Sequence, residues 1–192
     1  DQIRDGFAGA MQQELEAMWA SKLGLGSYDT ELLNELVNEL LQLMALSKAD
    51  YTIFFRKLSA IPAAIPADSP AGIPEQLASL KESFYLPSSE QLDGQWSQWL
   101  QRWHHHLSSC GDPAMTSAAM QRTNPKITWR EWLIAPAYDQ AALGDFSLIH
   151  DLQAVFSHPY DELSQEVEAR YDRLRPREFF NAGGVSHYSC SS

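Results

Sequence analysis

The chain has 192 residues, 44% hydrophobic and 20% charged, and its 14 Lys and Arg face 25 Asp and Glu for a net charge of −11. That length and composition suit a globular chain with a real core and exclude a disordered one. The acidity sets the chain as a whole against phosphate backbones and anionic lipid, so neither nucleic acid nor a membrane surface is an expected partner, and no apolar run approaches the ~18–20 residues needed to cross a bilayer.

The opening stretch, DQIRDGFAGAMQQELEAMW, has no basic segment followed by an apolar one, so it does not read as a signal peptide. It reads as starting in mid-helix, as if cut from a longer polypeptide. Phe7, Met11, Leu15, Met18 and Trp19 recur at three- and four-residue steps and stop at the Gly24–Gly26 breaker. Residues 30–46 carry a broad stripe from Leu32 to Leu46, with Asp29 or Thr30 as N-cap, and predict a central helix. Asp50 opens a short amphipathic helix through Tyr51, Phe54, Phe55 and Leu58.

Residues 61–74, IPAAIPADSPAGIP, read as a proline-rich connector, because proline at this density removes helix hydrogen bonds. A second helical half follows. Ser88 and Gln91 suggest a capping box before Trp96, Trp99, Leu100, Trp103 and Leu107, and Thr128 with Glu131 suggests another before Trp132 and Leu133. Asp112 reads as a cap, Pro136 as a kink or stop, and Gly144–Asp145 as a stop followed by a cap for a helix running to Phe156. From Arg175 the pattern turns irregular. Period-2 alternation is scarce, which predicts an all-α chain of six to eight irregularly packed helices: a helical domain over 1–175 and an extended tail over 176–192.

No chemical signature emerges from these elements. His104, His105 and His106 are consecutive, so on a helix they point about 100° apart and cannot converge on one ion; a solvated face is expected. The tryptophans at 96, 99 and 103 sit at core spacing rather than on a stacking platform. Cys110, in SSCGDP, lacks any recognisable oxyanion element, and no glycine-rich phosphate loop occurs. Paired carboxylates such as Asp161–Glu162 and Glu166–Glu168 are abundant without one standing out as a general acid. No catalytic, cofactor-binding or metal-binding residue is assigned. Two cysteines are too few for a disulfide framework, which points to a reducing cytoplasm. Cys190, near the end of HYSCSS, is either incidental on a frayed tail or held out to react, with His187 as its nearest base.

Several stretches, however, resemble one family in order and spacing. KLGL at 22–25, KADYTIFFRKLS at 48–59, NPKITWREWL at 124–133, GDFS at 144–147, HPYDE at 158–162 and the final SCSS are similar to the C-terminal region of selenoprotein O (SelO) proteins. In the N-P-K-x-x-x-R-x-x-L pattern the matching residues are Asn124, Pro125, Lys126, Arg130 and Leu133. The resemblance implies a kinase-like (pseudokinase) protein that transfers AMP from ATP to Ser, Thr or Tyr hydroxyls of proteins, with Mg²⁺ or Mn²⁺. It also implies that the nucleotide and metal sites lie in a missing N-terminal kinase-like region, leaving no cofactor on this chain. Cys190 takes the position that holds selenocysteine in some members, which implies a redox-regulatory thiol, not bonded to Cys110, in a cytoplasmic bacterial-type protein. Arg130 is expected to pair with an acidic residue or cap a helix end. Partners implied are the kinase-like region in cis and the protein substrates, with dimerisation through faces that truncation exposes. The rival reading is an independent helical interaction module, motivated by the Leu stripe and six tryptophans; a stand-alone thiol enzyme is the third.

Overall fold

Short polar residues set the helix starts. Asp29 accepts from the Leu32 N–H at 3.1 Å and opens α2 (Thr30–Ser47), which follows α1 (Gln2–Leu23). Asp50 does the same for Ile53 at 3.1 Å and opens α3 (Tyr51–Ala64). Such caps contribute about 1 kcal/mol each by satisfying a terminal N–H. The structure, a computed structural model, describes residues 2–64, 72–107 and 111–180, with side chains from residue 6. It is all-α, as expected. The later helices are α4 (Ile73–Lys81), α5 (Glu90–Leu107), α6 (Pro113–Thr123), α7 (Glu131–Ala142), α8 (Ser147–Phe156) and α9 (Gln165–Tyr171), then a 3-10 turn at Arg177–Phe179. The nine α-helices among the described residues exceed the expected six to eight because α4 and α9 are too short to show a clear period.

The connector read over 61–74 contracts. Ile61 and Pro62 are buried in the last turn of α3, and Pro74 lies in the first turn of α4, where its missing N–H costs nothing. Two capping boxes shift as well. Ser89, not Ser88, accepts from the Leu92 N–H at 3.2 Å, and α7 begins at Glu131 behind Arg130, leaving Trp129 outside the helix and 70% exposed. Pro136 does not end α7, which runs on to Ala142. Gly144, at φ 88°, stops α7 as expected; Asp145 accepts from the Ser147 N–H at 2.9 Å but stands one residue before Phe146, which occupies the N-cap of α8.

The chain divides into two compact units, Asp1–Asn124 and Pro125–Ser192. In the first, α5 packs on α2 and α4, α3 along α6, and α1 against α2, α3 and α6. Trp96, Trp99 and Trp103 are fully buried. Their indole N–H groups donate to Ser47 Oγ at 2.9 Å, Leu36 O at 2.9 Å and Leu23 O at 2.8 Å, which satisfies each polar handle inside the core. The Leu stripe of α2 is narrower than its sequence suggests, because Leu41 and Leu46 are exposed while Leu33, Leu36, Leu40 and Leu43 are buried. The second unit packs α7 on α8 around Ile127, Trp132, Leu133, Leu152 and Tyr171.

Candidate functional site

Two chain reversals carry the first site into place. At the end of α1, Gly24 adopts φ 72° and lets the Leu25 N–H return to Ala20 O at 2.9 Å, a Schellman closure. A Cβ on Gly24 would sit 2.6 Å from Met120 Sδ, so the same glycine admits α6. At the end of α2, Lys48 takes the left-handed conformation (φ 47°), and the Ala49 N–H reaches Met44 O at 2.8 Å. Both reversals lie in the family-like stretches.

Beneath them is a buried polar junction of α1, α3 and α6. The Asn124 side chain, fully buried, accepts from Lys22 Nζ at 2.8 Å and donates to Lys22 O and Ser59 Oγ, each at 2.9 Å. Ser117 Oγ donates to Ser59 O. Arg56 Nη1 donates to Gln121 O at 2.9 Å and Asn124 O at 3.2 Å, closing carbonyls that the end of α6 leaves open. The Lys22 ammonium lies 4.4 Å from the Phe55 ring centre and 5.0 Å from that of Tyr51. Burial lowers the Lys22 amine to about 8, so it is mostly charged at pH 7 while the two ring faces stand in for water.

The second junction lies wholly in the second unit. Backbone N–H groups of Lys126 and Ile127 both donate to Pro159 O, at 2.7 and 3.3 Å. Lys126 Nζ, itself buried, binds the carboxylates of Glu162 and Glu168. Burial opposes its charge, but the hydrogen bonds and charges of the two carboxylates prevail and raise its pKa above the ordinary lysine range. This brings the NPK and HPYDE stretches together. Arg130 Nη1 reaches Arg173 O at 3.3 Å, just past the end of α9, and the Arg173 guanidinium lies 5.4 Å from the Trp132 ring centre.

Chemically, both junctions are closures. Lys22, Arg56 and Lys126 face carbonyls, an amide, rings or carboxylates, an arrangement that holds helices together. Among the described residues, no group of three or more His, Cys, Asp and Glu could hold a metal ion. The second unit also carries an apolar groove of about 410 Å³, lined by Trp129, Tyr138, Ile149, Leu152 and Phe156 among others, with Trp129 stacked on Phe156 at 5.3 Å. No carboxylate, lysine, histidine or cysteine is among its lining residues.

The residues singled out from sequence fare differently. The tryptophan stripe is core, as expected. His104 is not on a solvated face: it is buried, with Nε2 2.6 Å from Gln76 Oε1, and burial lowers its pKa. Adjacent helix positions diverge, and His104 falls on the inner face while His105 is exposed. Cys110, His187 and Cys190 lie outside the described residues. Lys22, Arg56, Ser59, Ser117 and Glu168 were missed as participants. For the first two the available signal was a cation inside an apolar window, WASKLGL and IFFRKLS.

Comparison with known proteins extends the pattern across the chain. The family model described as Protein adenylyltransferase SelO matches residues 1–157. A protein nucleotidyltransferase YdiU of Methylobacillus flagellatus is 35% identical over 95% of this chain and 33% of its own length. Its counterparts in Rhodopirellula baltica and Tolumonas auensis are 34% and 32% identical, over 94% and 97% of this chain and 34% of their own lengths. The chain therefore spans about a third of the length of the curated relatives it matches. With every family-like stretch in the described residues tied to a cap, a chain reversal or a buried junction, and a family model matching most of its length, the chain belongs to the SelO family.

Proposed function

We propose that these residues are the C-terminal helical region of a protein adenylyltransferase that moves AMP from ATP to Ser, Thr or Tyr hydroxyls of proteins. In this reading the region supports a pseudokinase catalytic part and performs no nucleotide chemistry itself. The observation that carries it is the closed character of both junctions in a chain that matches its relatives nearly end to end yet spans a third of them. In this reading ATP and a divalent cation bind in the remainder of the polypeptide. In this reading the protein acts in the cytoplasm.

Cys190 serves as a redox handle. Its thiol and a second thiol in the catalytic part form a disulfide, passing two electrons and two protons to a cellular disulfide oxidant. Calorimetric titration of the region with ATP and Mg²⁺ tests the main reading: no binding is expected, and micromolar affinity contradicts it. Transfer of labelled AMP to protein by the full polypeptide is the positive counterpart, and its absence equally defeats the reading. Mass spectrometry after non-reducing digestion tests the thiol: an abundant Cys110–Cys190 peptide rules out a partner elsewhere.

A further inference from the structure

The first turns of α1 carry an apolar face that nothing described here covers. Phe7, Met11, Leu15 and Met18 follow one another at helical spacing and share one side of the helix. They are 67%, 56%, 47% and 41% exposed, the exposure falling toward the end where Ala20 and Leu23 enter the core. Beside them Gly6 and Gly9 lie in open space: apart from the helix's own nearby backbone and the adjoining residues, no atom comes within 4 Å of where a Cβ would be. Two interior glycines and a lack of neighbours leave these turns weak on their own, since short helices draw most of their stability from a packed face.

We infer that this face of α1 is the docking surface for the rest of the same polypeptide, packed against it in cis through an apolar patch. The inference rests on reading the chain as one region of a longer enzyme and goes on to name the surface of contact. Relatives match 94–97% of this chain but devote about two thirds of their length to other sequence, and the family match includes α1. A second copy of the chain is the weaker occupant. Stable dimers bury about 800 Å² per partner, whereas four half-exposed side chains of this size offer roughly 350 Å². A covalently attached partner holds on so small a patch because tethering raises its effective concentration to the millimolar range.

The experiment uses the full-length polypeptide with p-benzoylphenylalanine placed at the position of Leu15, illuminated and analysed by peptide mass spectrometry. Cross-links to peptides outside these 192 residues, within one molecule and independent of protein concentration, are expected. Cross-links between isotopically distinct copies, to peptides inside the region, or none at all overturn the inference. AMP transfer measured on the unsubstituted full-length protein separates the two readings: its absence defeats the enzymatic reading and leaves the cross-link result standing.

Discussion

Replacing Asn124 by alanine removes the hub of the first junction. The substitution deletes the acceptor for Lys22 Nζ and the donors to Lys22 O and Ser59 Oγ at a position with no exposure to water. Ser59 keeps its bond to Phe55 O, so the stranded groups are the Lys22 ammonium and the Lys22 carbonyl. An unsatisfied buried group costs about 1–3 kcal/mol and a charged one more, giving a loss of about 3–5 kcal/mol for Asn124→Ala. That is a large share of the 5–15 kcal/mol typical of a domain. Lys22→Met removes the stranded charge, so the double variant should lose about 1.5–3 kcal/mol less than the sum of the single losses. Urea unfolding followed by tryptophan fluorescence reads this directly, because Trp96, Trp99 and Trp103 are buried in the same unit. At ~1–3 kcal/mol per molar, the midpoint should fall by about 2 M with the slope unchanged. A loss below about 1 kcal/mol, or single effects that simply add, refutes the view of Asn124 as the hub.

Burial holds Lys22 at about 8 in the folded state against an ordinary 10.5, so the unfolded chain binds more protons between those values and stability should rise with pH across that window by up to about 3 kcal/mol. Lys22→Met abolishes the rise, while in the parent protein the raised Tyr51 pKa contributes stability that is lost as pH rises beyond 10; pH-dependent denaturation curves of the pair check the sign. Gly24→Ala places a Cβ against Met120 at a positive φ and should cost about 2–4 kcal/mol by thermal melting. Lys48→Gly relieves a left-handed lysine and should stabilise by about 1 kcal/mol in the same assay; a lower melting temperature contradicts it.

How much of this could be read from the residues depended on range. Asp29 and Asp112 cap helices as their local sequences imply, because a cap is decided within three residues. The tryptophan stripe was legible as core from its spacing alone. Ser88 and Thr128 satisfied the same local rule but lost to Ser89 and Arg130, the residues that stand directly before the first helical ones. His104 escaped because charge and polarity in a triplet hide which of three diverging directions faces Gln76. The junctions were the least legible: Lys22 meets Asn124 across 102 positions, and Lys126 meets Glu168 across 42. Their motifs could be recognised as a set, but their work as inter-helix closures could not be inferred before the helices were placed.

The three indole bonds of α5 bear on how the first unit opens. Trp103 is bonded to the end of α1, while Trp99 and Trp96 are bonded to the middle and end of α2, so α5 cannot lift away without releasing all three. Their protons are therefore shielded from deuterium by the same event that separates α1, α2 and α5, which makes these helices one cooperative foldon. In heavy water the three indole resonances should fade together, at the rate of global opening, long after the amides at the uncovered start of α1 have exchanged.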